Sequence, residues 1–242
     1  KPLRFTQAGK RLLALAREVV TLTADAEREV LQWVSGRSGE LRVAVECHTC
    51  FDWLMPAMDA FREHWPEVEL DLVSGFQADP ITLVEQGLAD FAVVHDRPAR
   101  RAGIVTEHLF SYQTLAILGP QHAYAGKAYL QPRDFASEVL ISYPVDEEML
   151  DVVRHFLAPR GVRPKRRNAE LTVAILQLVA SGRGIAALPE WSVKPYLERG
   201  YVVGKPLGAK GLRCELHGAM PESLATKPFM RDFVEKVRGV SL

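Results

Sequence analysis

The sequence predicts an α/β protein of two small strand–helix units joined by two crossings and preceded by one long helix. Three observations predict it. Between residues 10 and 34, apolar residues recur at alternating spacings of four and three. From Leu41, strand patterns alternate with amphipathic helical ones as far as Val94. The alternation resumes at Thr114 and closes with a helical pattern near the C-terminus.

Composition sets the outer bounds. The chain has 242 residues, 48% hydrophobic and 25% charged, enough for one sizeable core or two smaller ones. Lys plus Arg equals Asp plus Glu, 30 each, so no global charge argues for a nucleic-acid or membrane surface. No apolar run approaches the roughly 18 residues of a membrane-spanning helix, and no signal peptide is visible. Three cysteines exclude a dense disulfide framework, and the odd count suits a reducing cytoplasm. The chain begins Lys1-Pro2-Leu3 and its first methionine is Met55, which gives the expectation of a fragment or a processed protein.

The elements follow in order. In residues 10–34 the seam is Leu12, Ala16, Val19, Thr23, Ala26, Val30 and Trp33. Heptad spacing fits a long helix paired with another helix, and equally an amphipathic helix packed on its own domain. Ser35 to Gly39, "SGRSG", breaks the helix as a short linker. "LRVAV" (41–45), "VELDLV" (68–73) and "ADFAVV" (89–94) read as strands. Between them lie a helix over 51–65 and a short one over 79–87, the latter with Asp79 as N-cap, Pro80 in its first turn and Gly87 just past its end. In the second unit, 114–118, 139–142 and 184–189 read as strands. Residues 146–159 and 171–182 read as helices, 212–220 as a last strand and 229–240 as the closing helix. The chain passes between units near 110–120 and again near 212–220. Two crossings make a cleft between lobes, the usual place for a small ligand.

"GELRVAVECHTCFDW" (39–53) carries the densest chemistry. Thr49 stands where a helix begins, with Asp52 three residues on, close to a capping box. The free amide N–H groups of that first turn, with the helix dipole, form a seat for a carboxylate. The seat lies at the carboxyl edge of the sheet, where open α/β folds bind ligands. Cys47 and Cys50 enclose His48 and Thr49. As pocket lining they supply soft polar contacts, and as inert packing they fill space. A redox dithiol also suits the strand-to-helix position. Zinc would need two further ligands, and no suitably spaced set is present.

The same geometry nominates other strand ends and helix starts: Ser74 and Phe76, His95 and Asp96, Ser142 and Tyr143, and Thr172 as N-cap of the helix over 172–181. Taken one at a time, Ser-Gly and Tyr-Pro are turn chemistry, and Asp96 and Thr172 cap local structure. Gathered on one cleft, they become a binding site. There is no Gly-x-Ser-x-Gly, no phosphate-binding glycine loop and no His-Glu-x-x-His, so no enzyme, cofactor or metal is expected.

"FTQAGKRLL" (5–13) resembles the segment that leads into the linker helix of LysR-type transcriptional regulators. "GELRVAV", "FREHWPEVELDLVSG" (61–75), "LVEQGLADFAVV" (83–94) and "LVASGRGIAALPEW" (178–191) resemble that family's effector-binding domain in order and spacing. The resemblance implies the end of a DNA-binding domain and a dimerising linker helix over 1–38, with an effector-binding domain over 39–242. The latter would have two Rossmann-like lobes of the periplasmic-binding-protein type II kind. Lobe I would span about 39–113 and 219–242, and lobe II about 114–218. It further implies a homo-oligomer, dimer or tetramer, in which DNA and RNA polymerase are reached only through the full-length protein.

Residues 43–76 are especially similar to the methionine-biosynthesis activators of that family, whose co-effector is homocysteine. The expectation is then a homocysteine carboxylate on the amides after Thr49 or Thr172. Its ammonium would meet Asp96 or Glu46, because an unpaired buried charge costs several kcal/mol. Its thiol tail would lie against Cys47, His48, Cys50, Phe76 or Tyr143. The alternatives are a solute-binding protein of the same fold and a thiol redox sensor using Cys47 and Cys50.

Overall fold

The computed structural model describes residues 6–35, 39–45, 50–73, 79–95 and 100–240. Helix α1 (Gln7–Ser35) leads into β1 (Gly39–Val45), α2 (Phe51–His64), β2 (Val68–Val73), α3 (Pro80–Glu85) and β3 (Phe91–His95). A 15-residue strand, β4 (Ile104–Leu118), follows. Then come β5 (Val139–Ser142), β6 (Lys165–Asn168), α4 (Thr172–Ala180), β7 (Ile185–Pro189), α5 (Glu190–Glu198) and β8 (Val203–Pro206). The chain closes with β9 (Leu212–Pro221), α6 (Glu222–Ala225) and α7 (Pro228–Arg238).

All nine strands join one sheet in the order β2-β1-β3-β9-β4-β7-β5-β6, with β8 also on β4. At one end β1, β2 and β3 are parallel. At the other β5, β6 and β7 are parallel. Between them β4 and β9 run antiparallel from Ile104↔Pro221 to Thr114↔Leu212, with a register shift between His108 and Phe110. The irregularity bends the ribbon.

Alternation along each strand builds a layer on each face. Leu41, Val43, Val45, Phe91 and Val93 face a core shared with α2 and α7. Ala44, Ala92 and Val94 face the opposite core, beneath Ile81 and Val84 of α3. Phe233 of α7 meets Phe61 and Phe91 edge to face at 5.4 and 5.2 Å. The second half repeats the scheme. Leu140, Ile185 and Ala116 pack with Val152, Phe156 and Leu157. Their neighbours Ile141, Ala186 and Ile117 pack with Ile175, Leu176 and Val179 of α4. Each half is therefore a sheet between two helical layers, the expected two-lobed α/β class.

Several elements differ from the expectation. The helix expected over 146–159 is three short pieces: a 3₁₀ turn (Glu147–Met149), a π-helix (Val152–Leu157) and a second 3₁₀ turn (Ala158–Arg160). Leu150 is extended, with ψ 111°, and breaks the run. Pro159 supplies no N–H to continue it, and Gly161 closes it in the left-handed region at φ 67°. Strand β4 starts at Ile104, not Thr114. Its first half mixes polar and apolar residues and owes its extension to β9. Neither β6 nor β8 was expected, and nor was α5, whose pattern Pro195 interrupts.

Helix α1 is 29 residues, about 43 Å long. Leu12, Ala16, Val19, Thr23, Ala26 and Val30 of the seam are all exposed. The Trp33 side chain lies outside the described residues. Among the described residues, no helix is long and apolar enough to cross a membrane.

Gly218 marks the tightest point of the ribbon. It pairs with Val93 on one side and Glu107 on the other. A Cβ there would stand 2.7 Å from Cε2 of Phe91, a wholly buried ring. Gly218→Ala is expected to cost about 1–3 kcal/mol through overpacking. Urea unfolding checks it: the midpoint should fall with the slope unchanged.

Candidate functional site

The carboxyl ends of both parallel strand sets are where a small ligand would sit. Glu46, Cys47, His48, Thr49, Ser74, Phe76 and Asp96 lie outside the described residues. The structure places Cys50, His95, Ser142, Tyr143 and Thr172.

Cys50 is wholly buried and is itself the N-cap of α2, with no side-chain capping bond. Thr49 lies outside the described residues, and with it the capping box expected from Thr49 to Asp52. Cys50, Trp53 and Leu54 enter one core together. Asp52 lies in the first turn, and desolvation pushes its carboxyl above the usual range.

His95, the last residue of β3, meets the Tyr112 ring at 6.2 Å. Tyr112 packs on Trp191 at 4.5 Å, Trp191 on Phe110 at 6.0 Å, and Phe110 on Trp53 at 5.1 Å. A chain of aromatic rings therefore runs from the start of α2, across β4, to the end of β3. Among the described residues, the buried Trp53 Nε1 has no hydrogen-bond partner. The Tyr112 hydroxyl donates to Asp151 Oδ2 at 2.7 Å, and Arg154 holds the other oxygen of that carboxylate at 3.1 Å.

The second half supplies a compact polar cluster. Ser142 ends β5 and is buried. Its hydroxyl donates to the Tyr143 carbonyl at 3.3 Å and accepts from Arg166 Nε and Nη2 at 3.2 and 3.1 Å. Arg166 also donates to the carbonyls of Tyr143 and Val145 at 3.2 and 2.9 Å. The Tyr143 and Thr172 hydroxyls lie 2.6 Å apart. Thr172 is the first residue of α4, not its N-cap: Leu171 holds that place and makes no side-chain capping bond. A hydroxyl engaged by Tyr143 leaves the helix amides uncapped. The first-turn amides of α4 thus sit beside two hydroxyls, an arrangement suited to a carboxylate.

Ser142, Tyr143 and Thr172 are brought together. His95 and Cys50 belong to the aromatic half. Sequence reasoning missed Tyr112, Asp151, Arg166 and Trp191. Arg166 stands in "KRRN", which reads as a solvated edge, and Tyr112 stands in a stretch not read as strand. Among the described residues, no group of three or more His, Cys, Asp or Glu is placed to hold a metal ion.

The sequence profile of the LysR substrate binding domain matches residues 35–241. The chain belongs to the LysR family. It is 46% identical over 240 residues to the HTH-type transcriptional regulator MetR of Haemophilus influenzae, covering 99% of this chain and 77% of that one. Against MetR of Escherichia coli K12 it is 39% identical over 239 residues, covering 99% and 74%. Among solved structures, the regulatory domain of MetR, a LysR family regulator from N. meningitidis, aligns with a TM-score of 0.76 and 52% identity. That alignment covers 83% of this chain and 92% of that one. These relatives are transcriptional regulators, not enzymes, and the LysR regulatory domain has the two-lobed fold of periplasmic binding proteins of type II.

In this LysR-family domain, Arg166 is the clamp of the polar cluster. Arg166→Met removes charge-assisted donors from Ser142 and two carbonyls. The expected loss is about 1.5–3 kcal/mol of stability. Chemical denaturation monitored by circular dichroism measures it.

Proposed function

We propose that this chain is the effector-sensing part of a LysR-type regulator of methionine-biosynthesis genes, and that its effector is homocysteine, bound between the lobes. The observation that carries the reading is the pair of hydroxyls, Tyr143 and Thr172, at the uncapped start of α4. An α-carboxylate fits such a place, since helix amides and two hydroxyls donate to it together. The aromatic chain ending at Tyr112 and His95 offers the apolar surface that a short thioether- or thiol-bearing tail needs. The name MetR, borne by relatives aligned over nearly the whole chain, supports the methionine setting.

The mechanism follows from population shift. A ligand that touches both lobes stabilises the arrangement in which both sets of contacts are made, by its differential affinity and no more. In the full-length protein that arrangement would alter how paired subunits hold DNA and meet RNA polymerase. A redox-sensing reading requires an accessible thiolate, and the full burial of Cys50 argues against it.

Calorimetric titration with homocysteine, methionine and homoserine tests the effector. Homocysteine should bind most tightly, and Thr172→Val should weaken it by about tenfold or more. Absence of heat with all three overturns the reading.

The exposed seam of α1 separates a regulator from a solute-binding protein of the same fold. We propose that it pairs with a second copy. Light scattering should give at least a dimer, and Val19→Glu with Val30→Glu should yield monomer, because two buried charges oppose each copy of the seam. A monomeric parent chain favours the solute-binding alternative.

A further inference from the structure

Away from the start of α4, the second lobe holds a hollow of about 280 Å³. It lies between the β5–β6 pair and the π-helix. Leu140, Val153 and Val162 give it an apolar wall. Its charged lining is Glu147, Glu148, Arg154, Arg163 and Arg166.

Most of these charges are already matched. Arg154 is held by Asp151 at 3.1 Å. Arg166 Nη1 lies 3.9 Å from Glu147, while its other nitrogens serve Ser142 and two carbonyls. Among the described residues, Arg163 and Glu148 have neither an ion pair nor a hydrogen bond to the side chain. The hollow therefore keeps one unmatched cation and one unmatched anion beside an apolar wall.

We propose that the hollow is a second ligand site, distinct from the one at α4, and that it takes a small α-amino acid in its zwitterionic form. The carboxylate pairs with Arg163, the ammonium with Glu148, and a short apolar side chain lies on Leu140, Val153 and Val162. With the other charges matched, a simple anion would gain Arg163 but face Glu148, and a simple cation would gain Glu148 but face Arg163. Only a ligand carrying both charges avoids the repulsion. The volume lies just below the usual range of small-ligand pockets, about 300–1,000 Å³, which suits an amino acid better than a nucleotide or a peptide.

The probe is L-valine, with acetate and methylammonium as single-charge controls, followed by amide chemical shifts of the whole chain. L-Valine should move the signals of Val153 and Val162 saturably, and each control should bind at least tenfold more weakly. Arg163→Ala and Glu148→Ala, both exposed side chains, should each weaken L-valine by about tenfold or more. Thr172→Val should leave this binding intact, which separates the hollow from the α4 site. The proposal is overturned if L-valine leaves those signals unmoved. It is also overturned if its binding ignores both substitutions, or if acetate binds as well as L-valine.

Discussion

The antiparallel ribbon of β4 and β9 is the constraint on which the rest of the molecule depends. It is flanked by β3 along β9 and by β7 along β4, and β8 takes over from β9 on the same edge of β4 beyond Thr114. Each half-sheet takes its last hydrogen-bonding partner from the ribbon. Without it β3 and β7 would both present open edges, and the two parallel triplets would be separate fragments too small to bury their faces. The irregularity between His108 and Phe110 lies within it, where one half gives way to the other. Leu109, at that point, is buried. The ladder continues through it to Thr114 and Leu212.

Tyr112 shows how the ribbon ties the two halves together. It sits on β4 three residues past Leu109, among the aromatic rings of the first half. Its hydroxyl reaches Asp151, beside the π-helix of the second. π-Helical segments are rare and often mark functional positions. Here the segment presents Arg154 toward the hollow and Asp151 toward Tyr112, so one irregular turn touches both the ribbon and a cavity. The bond between Tyr112 and Asp151 is short, and its carboxylate is nearly buried. Breaking it would leave a charge facing Arg154 alone, so the two halves are tied by a contact that is costly to lose.

Much of this was legible in the residues. Leu41, Val43 and Val45 alternate as a half-sheet strand should, and Asp79-Pro80 with Gly87 bracketed α3 correctly, Asp79 Oδ1 accepting from the Ile81 amide. The grouping of Ser142, Tyr143 and Thr172 followed from one rule about strand ends and helix starts. What escaped was set by distant partners. "KRRN" is a strand only because β5 lies beside it. The start of β4 is extended because β9 pairs with it. The break at Leu150 depends on a backbone conformation that no local pattern announces. The pairing of Thr172 with Tyr143, rather than with its own helix, joins residues 29 positions apart.

The two helix starts nearest the carboxyl edges are not equivalent seats for a carboxylate. At α2, Asp52 already places a carboxyl in the first turn. The helix dipole favours its charged form, yet burial outweighs the dipole and moves its titration upward. A second carboxylate there would add like-charge repulsion to the same desolvation. At α4 the first turn holds Thr172, Val173 and Ala174, with no acidic residue, and Leu171 provides no cap. The helix end therefore keeps its full positive potential, and the hydroxyls beside it need only turn their protons to an incoming anion. On the proposed reading, charge placement therefore favours the start of α4 over that of α2 for an acid group, while Cys50 and Trp53 at α2 serve packing.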